Sequence, residues 1–256
     1  MNTKTYTLEE FNGHPLLARL LELHDIPKNI HIQGELPTFT IDVYGRATPR
    51  ILTVVGSRKH STYGKQALEK LIASLAGYDV IILSGLALGV DGISHKTALT
   101  HNLTTIAVPG SGLDKKVLYP RAHVSLAEDI IQHGGALLSE FASTTPPALW
   151  TFPQRNRIMA ALSDAVLFIE AEEKSGTLIT ARQALELGRD IGAVPGDIFS
   201  PTSHGTNMLI REGAYPITCQ DDLLALLHLS KLEFDTIEKY DEKKYTVHEK
   251  IILDTL

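Results

Sequence analysis

Short apolar runs alternate with longer segments of helical periodicity through the middle of the chain. The runs are four or five residues long, which is typical of buried strands, and they cover residues 51–55, 80–83, 105–108, 136–139, 165–169 and 191–194. Apolar residues at three- and four-residue spacing predict the intervening helices, over residues 63–76, 92–101, 124–132 and 178–187. Residues 158–161 are predicted to continue a helix that begins in the arginine-bearing segment before them. This alternation predicts an α/β fold, an extended Rossmann-like, doubly wound architecture whose mostly parallel sheet carries helices on both faces.

The two ends of the chain differ from this middle part. Residues 1–50 hold a short leucine-rich helical pattern, and we expect a short N-terminal extension packed on the core. Residues 51–229 are predicted to form the Rossmann-like domain, which ends in an amphipathic helix over 221–229. Residues 230–256 are predicted to be a charged linker followed by the start of a truncated helical module.

Composition limits the functions that this fold can carry. The net charge is −6, and nine acidic but five basic side chains lie in residues 217–256, so the rest of the chain is close to neutral. A local cationic site is therefore expected rather than a surface that coats a polyanion. The single cysteine, Cys219, excludes an intramolecular disulfide and a cysteine-based zinc cluster. No apolar run approaches a membrane span, and we expect a cytoplasmic protein.

Glycine-bearing loops follow several predicted strands directly. They occupy residues 55–58, 83–91, 108–112 and 194–196, and a further glycine lies in the stretch Lys174-Ser175-Gly176-Thr177 before a predicted helix. Ligands of doubly wound sheets bind outside the carboxyl ends of the strands, where such loops meet helix N-termini. The sequence therefore predicts a groove lined by backbone N–H groups at this edge.

The segment Phe152-Pro-Gln-Arg-Asn-Arg157 carries the strongest functional signal. Arg155 and Arg157 are one residue apart and cannot share a helix face, but with Asn156 they suit a loop-to-helix junction that holds an anion. Phe152 adds a flat surface on which a base can stack. A nucleotide or a nucleic acid strand is the predicted ligand.

Two further arginines lie in loops near the predicted groove. Arg58 follows a strand and a Gly-Ser turn, which places a positive charge at the groove, although pairing with Glu140 or Glu170 is an alternative explanation. Arg121 adds charge together with two nearby lysines, and a solvated surface explains them nearly as well.

Other kinds of chemistry find little support. The Gly85–Gly89 loop lacks the third glycine and the acidic ribose-binding residue of a dinucleotide site, and there is no phosphate-binding P-loop. Asp91 and His95, four residues apart, are explained by the helix dipole and by packing on the sheet. Glu170 and the two glutamates after it fit a solvated acidic loop. The sequence predicts no cofactor, no metal and no catalytic centre.

Several long motifs occur in a fixed order, at residues 55–58, 84–91, 152–157, 175–181, 194–196 and 205–210. From about residue 51 to 227 the chain thereby resembles the DNA processing protein A (DprA/Smf) family. The resemblance implies a non-enzymatic protein that binds single-stranded DNA in a basic pocket of an extended Rossmann fold. It also implies a homodimer that helps to load RecA during natural transformation, with dimer and RecA contacts at residues 208–227.

The resemblance also assigns roles to residues. Arg58, Phe152, Arg155 and Arg157 would line the strand site, with Phe152 stacked on a base, and which of Arg155 and Arg157 faces the strand stays open. Ser57 and the loop that begins at Lys174 would hold phosphates. The full predicted DNA-binding set is Ser57, Arg58, Arg121, Phe152, Arg155, Asn156, Arg157, Lys174, Ser175, Gly176 and Thr177.

The chain also departs from the family pattern. Leu88 stands where the family usually has arginine, which removes one positive charge from the groove edge. One alternative is a small-nucleotide-binding enzyme or sensor of the lysine-decarboxylase-like Rossmann superfamily, although the chain lacks Pro-Gly-Gly before Ser175-Gly-Thr. Another is a dimeric scaffold in which Leu88 and the acidic tail abolish DNA binding.

Overall fold

A computed structural model describes residues 3–42, 44–173 and 175–229. Its strands are β1 (Lys4–Thr7), β2 (Asn29–Gly34), β3 (Thr40–Ile41), β4 (Ala47–Thr48), β5 (Arg50–Val55), β6 (Val80–Ser84), β7 (Thr105–Ala107), β8 (Ala136–Ser139), β9 (Ala165–Phe168), β10 (Asp190–Ala193) and β11 (Tyr215–Pro216). Its helices are α1 (Pro15–Ala18), α2 (Thr62–Ala73), α3 (Val90–Thr100), α4 (Val124–Gln132), α5 (Thr151–Leu162), α6 (Thr177–Glu186), α7 (His204–Arg211) and α8 (Gln220–Leu226). Lys174 and the predicted linker and helical start in residues 230–256 lie outside the described residues.

The described strands form a nine-stranded sheet in the order β1-β2-β8-β7-β6-β5-β9-β10-β11, beside a separate β3–β4 hairpin. The seven strands β5 to β11, which are neighbours in the order β8-β7-β6-β5-β9-β10-β11, run parallel to one another. By contrast, β2 is antiparallel to β8 and β1 is antiparallel to β2. Every residue of β6, β8 and β9 is buried, as parallel strands between two layers of helices require. The predicted fold class is confirmed.

The predicted strands and helices are present, and one boundary differs in a way that matters. Each of the six predicted strands lies within one residue of its expected bounds. The helix expected to begin in the arginine-bearing segment and to continue over 158–161 is α5, and it starts at Thr151, ahead of both arginines. Arg155 and Arg157 therefore lie inside a helix and not at a loop-to-helix junction.

The N-terminal segment is part of the sheet and of the core. β1 and β2 extend the sheet beyond β8, with Ile32 opposite Leu138. Phe11 and the leucines of the first helical segment are fully buried against the same core cluster as the central strands. The hydrophobic pattern does not predict β1 or β2, because short alternating strands of this kind depend on long-range pairing.

The order of the strands fixes where a ligand site can form. The chain runs outward from β5 through β6 and β7 to β8, and then α5 carries it back across to β9 on the other side of β5. The loops after β5 and β9 therefore lead away in opposite directions and leave a crevice between them. Val55 and Phe168, which end these two strands, are paired in register beside it.

Glu170, just after β9, ties these two loops together. Its carboxylate accepts hydrogen bonds from the Ser61 N–H (2.8 Å), the Ser61 hydroxyl (2.6 Å) and the Thr202 hydroxyl (3.1 Å). A Cβ at Gly64 would lie 2.4 Å from this carboxylate, so the first turn of α2 can approach Glu170 only because residue 64 is glycine. Glu170 is 2% exposed. The expectation of a solvated loop is wrong for this residue, because the start of α2 buries it.

Candidate functional site

A cleft of about 330 Å³ lies at the carboxyl ends of β5 and β9. Four separate segments line it: the loop after β5, the loop between β6 and α3 with the start of α3, the first turns of α5, and the start of α6 with the loop before it. Eight residues of the predicted DNA-binding set are among its lining residues, namely Ser57, Arg58, Phe152, Arg155, Asn156, Ser175, Gly176 and Thr177. The fold thus brings together in space residues that lie more than 100 positions apart in the chain.

Arg157, which belongs to the predicted set, lies away from the cleft. Residues two positions apart on an α-helix are about 200° apart around its axis, so Arg155 and Arg157 point to different sides of α5. The Arg157 guanidinium is paired with the Glu140 carboxylate and donates to the Asp25 carbonyl, and its side chain is 13% exposed. This pair links α5 to the end of β8 and to the N-terminal segment. Of the two arginines, the one that lines the cleft is Arg155.

Arg121 also belongs to the predicted set and closes its own loop. Its Nη1 donates to the carbonyls of Lys115 (3.3 Å) and Lys116 (3.1 Å). It is not among the residues that line the cleft. Tyr119, two residues earlier, connects this loop to the site through an edge contact with the Phe152 ring, with centroids 5.8 Å apart.

Arg155 forms the floor of the cleft and is 5% exposed. Its Nη1 donates to the Val108 carbonyl (2.7 Å) and lies 4.0 Å from the Asp91 carboxylate. A Cβ at Gly85 would lie 1.4 Å from the same nitrogen, so only glycine leaves room for this guanidinium. Burial lowers the pKa of Arg155, while Asp91 opposes that shift. The floor is a buried ion pair that shapes the cleft.

Asp91 and His95 do not form an acid–base pair. The Asp91 carboxylate accepts from the Ala87 N–H (3.3 Å) and faces Arg155, and burial raises its pKa. Nδ1 of His95 bonds to the Thr105 hydroxyl (2.7 Å), and burial, with smaller effects of His123 and Arg155, lowers the pKa of His95 to about 3. His95 is thus a neutral core residue. Across the described ranges, no group of three or more His, Cys, Asp and Glu is placed to hold a metal ion.

Arg58 and Lys59 form the exposed rim of the cleft on the β5 side. The Ser57 hydroxyl accepts from the Lys59 N–H and donates to the Lys59 carbonyl, both at 3.0 Å, which closes a tight turn with Arg58 at its tip. Gly89, at φ +78°, permits the next loop to approach this turn, since a Cβ there would lie 2.4 Å from the Ser57 carbonyl oxygen. The turn therefore has a fixed backbone.

The alternative carboxylate partners of Arg58 are already engaged elsewhere. Glu140 pairs with Arg157, and Glu170 accepts from Ser61 and Thr202. The Arg58 guanidinium lies instead over the Phe152 ring, 5.0 Å from its centroid. In the part of the chain that the structure describes, no carboxylate forms an ion pair with Arg58 or Lys59.

The start of α6 forms the opposite wall. Gly176 is the N-cap, and the Ser175 hydroxyl accepts from the Thr177 N–H (3.1 Å). The N–H groups of Thr177, Leu178 and Ile179 already donate to Ser175 and Gly176, so it is the dipole of this ten-residue helix that favours an anion at this end. Glu172 adds an exposed carboxylate to the same wall. The sequence motifs did not indicate Lys59, whose only signal is its closeness to Arg58, and Glu172 was expected only as part of a solvated acidic loop.

The sequence profile of the DNA recombination-mediator protein A family matches residues 9–228. The chain belongs to this family. Protein Smf of Escherichia coli (strain K12) is 42% identical over 224 residues, which are 85% of this chain and 57% of that protein. DNA processing protein DprA of Bacillus subtilis (strain 168) is 38% identical over 204 residues, 80% of this chain and 65% of that protein. The chain thus spans about three fifths of the length of these two relatives.

Two solved structures are also similar. DNA processing protein A of Streptococcus pneumoniae has a TM-score of 0.76 at 37% identity, covering 88% of this chain and 74% of that one. The Helicobacter pylori protein, whose structure describes a single-stranded DNA binding mode, has a TM-score of 0.73 at 29% identity, covering 89% and 96%. These relatives confirm the resemblance to the DprA/Smf family.

The motifs that carry the resemblance also build the cleft of this chain. Residues 55–58 form the Arg58 turn, 152–157 the Phe152 and Arg155 side, and 175–181 the start of α6. Leu88, at the family's usual arginine position, is 45% exposed beside Ala87, which lines the cleft. Searched over the described residues, no helix has the length and apolarity to cross a membrane.

Proposed function

We propose that this protein is a non-enzymatic recombination mediator that binds single-stranded DNA in the cleft between the β5 and β9 loops. The observation that carries the proposal is the pair of exposed cations, Arg58 and Lys59, facing the N-terminus of α6 across a cleft with an aromatic side chain. Cations, backbone N–H groups and an aromatic ring are the usual components of sites for single strands. The single-stranded DNA binding mode of the H. pylori relative supports the proposal.

Exposed residues of the cleft would contact the DNA, and buried ones would support the shape of the cleft. Arg58 and Lys59 are exposed and would contact phosphates, while the Gly176 N–H, at the positive end of the α6 dipole, would hold another phosphate. Arg155 is buried and would support the floor. Ser57 would act through the turn that its hydroxyl closes.

We further propose that the chain acts in the cytoplasm as a homodimer that passes the strand to RecA. The surface at residues 208–227, which contains the end of α7 and all of α8, would carry these contacts. The family membership supports this assignment, and analytical ultracentrifugation together with a RecA pull-down would test it.

The test of DNA binding is a fluorescence anisotropy titration with labelled oligo-dT and with a duplex of the same length. We expect tighter binding to oligo-dT and a loss of affinity with salt of about 0.7 log unit per log unit for each phosphate contacted. Lys59→Ala should weaken binding and reduce this slope. Lys65→Ala is the matched control, because Lys65 pairs with Glu69 on α2 and does not line the cleft. Equal binding of both variants and the wild type would refute the proposed site.

A second candidate is a small-nucleotide enzyme or sensor. The observation that favours it is an exposed carboxylate, Glu172, in a cleft that also offers an arginine and a helix N-terminus. Release of free base from AMP or NAD, followed by chromatography, would support this candidate. Binding of oligo-dT without any release of base would support the DNA-binding function.

A further inference from the structure

The half-buried Phe152 ring has three close neighbours in this structure. Arg58 lies over the ring with its guanidinium carbon 5.0 Å from the centroid, and Tyr119 meets the ring edge-on at 5.8 Å. Gly110 packs closely against it, since a Cβ there would lie 2.6 Å from Cδ1 and 2.9 Å from Cε1 of the ring. A base that stacked on Phe152 would have to compete with these contacts.

The same contacts give Arg58 a fixed direction. An exposed arginine normally samples many rotamers and loses that freedom when it binds a phosphate. A guanidinium that stacks on an aromatic ring is already ordered, and its N–H groups remain free at the edge of its plane for bidentate contact with phosphate. The backbone of the same residue is fixed by the Ser57 turn, so both ends of Arg58 are held.

We infer that Phe152 is a positioning residue, which holds the Arg58 guanidinium in place for a DNA phosphate, rather than a platform for a base. The inference rests on the proposed DNA-binding function and replaces the base-stacking role expected from the sequence. Phe152 would then affect every strand that has phosphates, whether or not the strand has bases.

Two strands of equal length separate these roles: oligo-dT, and an abasic strand of tetrahydrofuran nucleotides that keeps the phosphates. If Phe152 positions Arg58, Phe152→Leu weakens both strands by the same factor, about two- to fivefold, the usual strength of an exposed cation–π contact. A loss confined to oligo-dT would overturn the inference, because it would show that the ring contacts a base.

A double-mutant cycle supplies an independent test. Once Arg58→Ala has removed the guanidinium, Phe152→Leu should weaken binding of the abasic strand by less than about 1.5-fold, since the ring acts only through Arg58. Independent, multiplicative losses would overturn the inference. Phe152→Tyr keeps an aromatic face and should retain wild-type affinity for both strands. If residue 152 served only as an apolar side chain in folding, leucine would serve as well as tyrosine, and the two variants would bind alike.

A control and a fold check complete the experiment. Trp150→Leu removes another exposed aromatic side chain near the start of α5, one that packs on Phe141 outside the cleft, and should leave both affinities unchanged. If Phe152→Leu lowers the melting temperature markedly, the affinities of Phe152→Tyr and Arg58→Lys are compared with the wild type instead. Arg58→Lys keeps the charge but loses the planar guanidinium. Arg58→Lys should then weaken both strands equally. A wild-type protein that binds neither strand would refute the proposed function itself, whereas additive losses in a protein that does bind would refute only the role of Phe152.

Discussion

The floor and the rim of the cleft each carry an arginine, but the two side chains lie in opposite environments. Arg155, at the floor, is 5% exposed and bonds to the Val108 carbonyl beside Asp91. Arg58, at the rim, is exposed and touches an aromatic ring. A buried cation supports the fold, because its removal leaves charges without partners, whereas an exposed cation can exchange water for a ligand at small cost. Sequence motifs alone do not separate these two roles.

The largest effect is expected at the floor. Arg155→Leu would leave the Asp91 carboxylate and the Val108 carbonyl buried without their partner, and we expect a loss of about 3–5 kcal/mol in the free energy of unfolding. Urea denaturation followed by circular dichroism measures it. Arg58→Ala, which removes an exposed charge, should stay within about 0.5 kcal/mol of the wild type. Similar stabilities of the two variants would contradict the division between floor and rim.

At the rim the expected effect is on binding. Arg58→Ala should weaken oligo-dT binding by about 1.5–3 kcal/mol, the usual value of a hydrogen bond to a charged group. The salt dependence should fall by about 0.7 log unit per log unit for each phosphate contact that is lost. Anisotropy titrations at several salt concentrations measure both quantities. Weaker binding with an unchanged salt slope would mean that Arg58 does not contact a phosphate.

Arg157, the second arginine of α5, pairs with Glu140, whose raised pKa makes the stability of the fold depend on pH. Burial raises the pKa of Glu140 to about 7, against the opposing effect of Arg157 and with a smaller raising effect of Asp25. Since the folded-state pKa lies above the usual 4.5, the folded protein holds this proton more tightly than the unfolded chain. The stability that Glu140 contributes is full below about pH 4.5 and is lost as the pH rises through about 7.

The test compares Glu140→Gln with the wild type across this range. The wild type should lose up to about 1.4 kcal/mol per pH unit from this group between pH 5 and 7, and the variant should lack that component. Urea unfolding at half-unit pH steps measures the difference. Parallel stability curves for the two proteins would contradict the raised pKa. Oligo-dT binding should be the same in both, because this pair lies away from the cleft.

The sequence predicts the part of the fold that depends on local pattern. Continuous apolar runs identify six of the seven parallel strands in the described residues, because each of the six has a buried core and needs no knowledge of its partners; the two-residue β11 is too short to show such a run. β1 and β2 escape prediction since their pairing joins residues more than 20 positions apart and then reaches β8, over 100 positions away. The motif glycines correctly indicate the edge at which the cleft forms.

The site is predicted less completely, for a similar reason. The spacing of Arg155 and Arg157 shows that they cannot share a face, but the face that meets the cleft depends on how α5 crosses the sheet. The alternative explanation of Arg58, a pairing with Glu140 or Glu170, is not found, because those carboxylates bind Arg157 and Ser61. Such choices among competing partners are tertiary, and no local pattern encodes them.

The smallest expected effect concerns Leu88, the exposed residue where the family usually has arginine. It precedes Gly89, which packs against the carbonyls of Ser57 and Arg58, so a longer cationic side chain at position 88 would add charge beside the rim. Leu88→Arg should tighten oligo-dT binding by about 1 kcal/mol, or about fivefold, the upper end for an exposed ion pair. It should also steepen the salt slope by about 0.7 log unit per log unit for one new phosphate contact.

The matched control for this gain is Leu185→Arg. Leu185 is an exposed leucine near the C-terminal end of α6. The cleft is lined by the N-terminal end of this helix, so Leu185 lies away from it. The control adds the same charge to the whole protein, so a gain that depends only on net charge would appear in both variants. A gain confined to Leu88→Arg would show that the rim, and not the overall charge, limits affinity. Equal gains would mean that the strand responds to the charge of the whole surface, and the contrast between floor and rim would then describe stability but not binding.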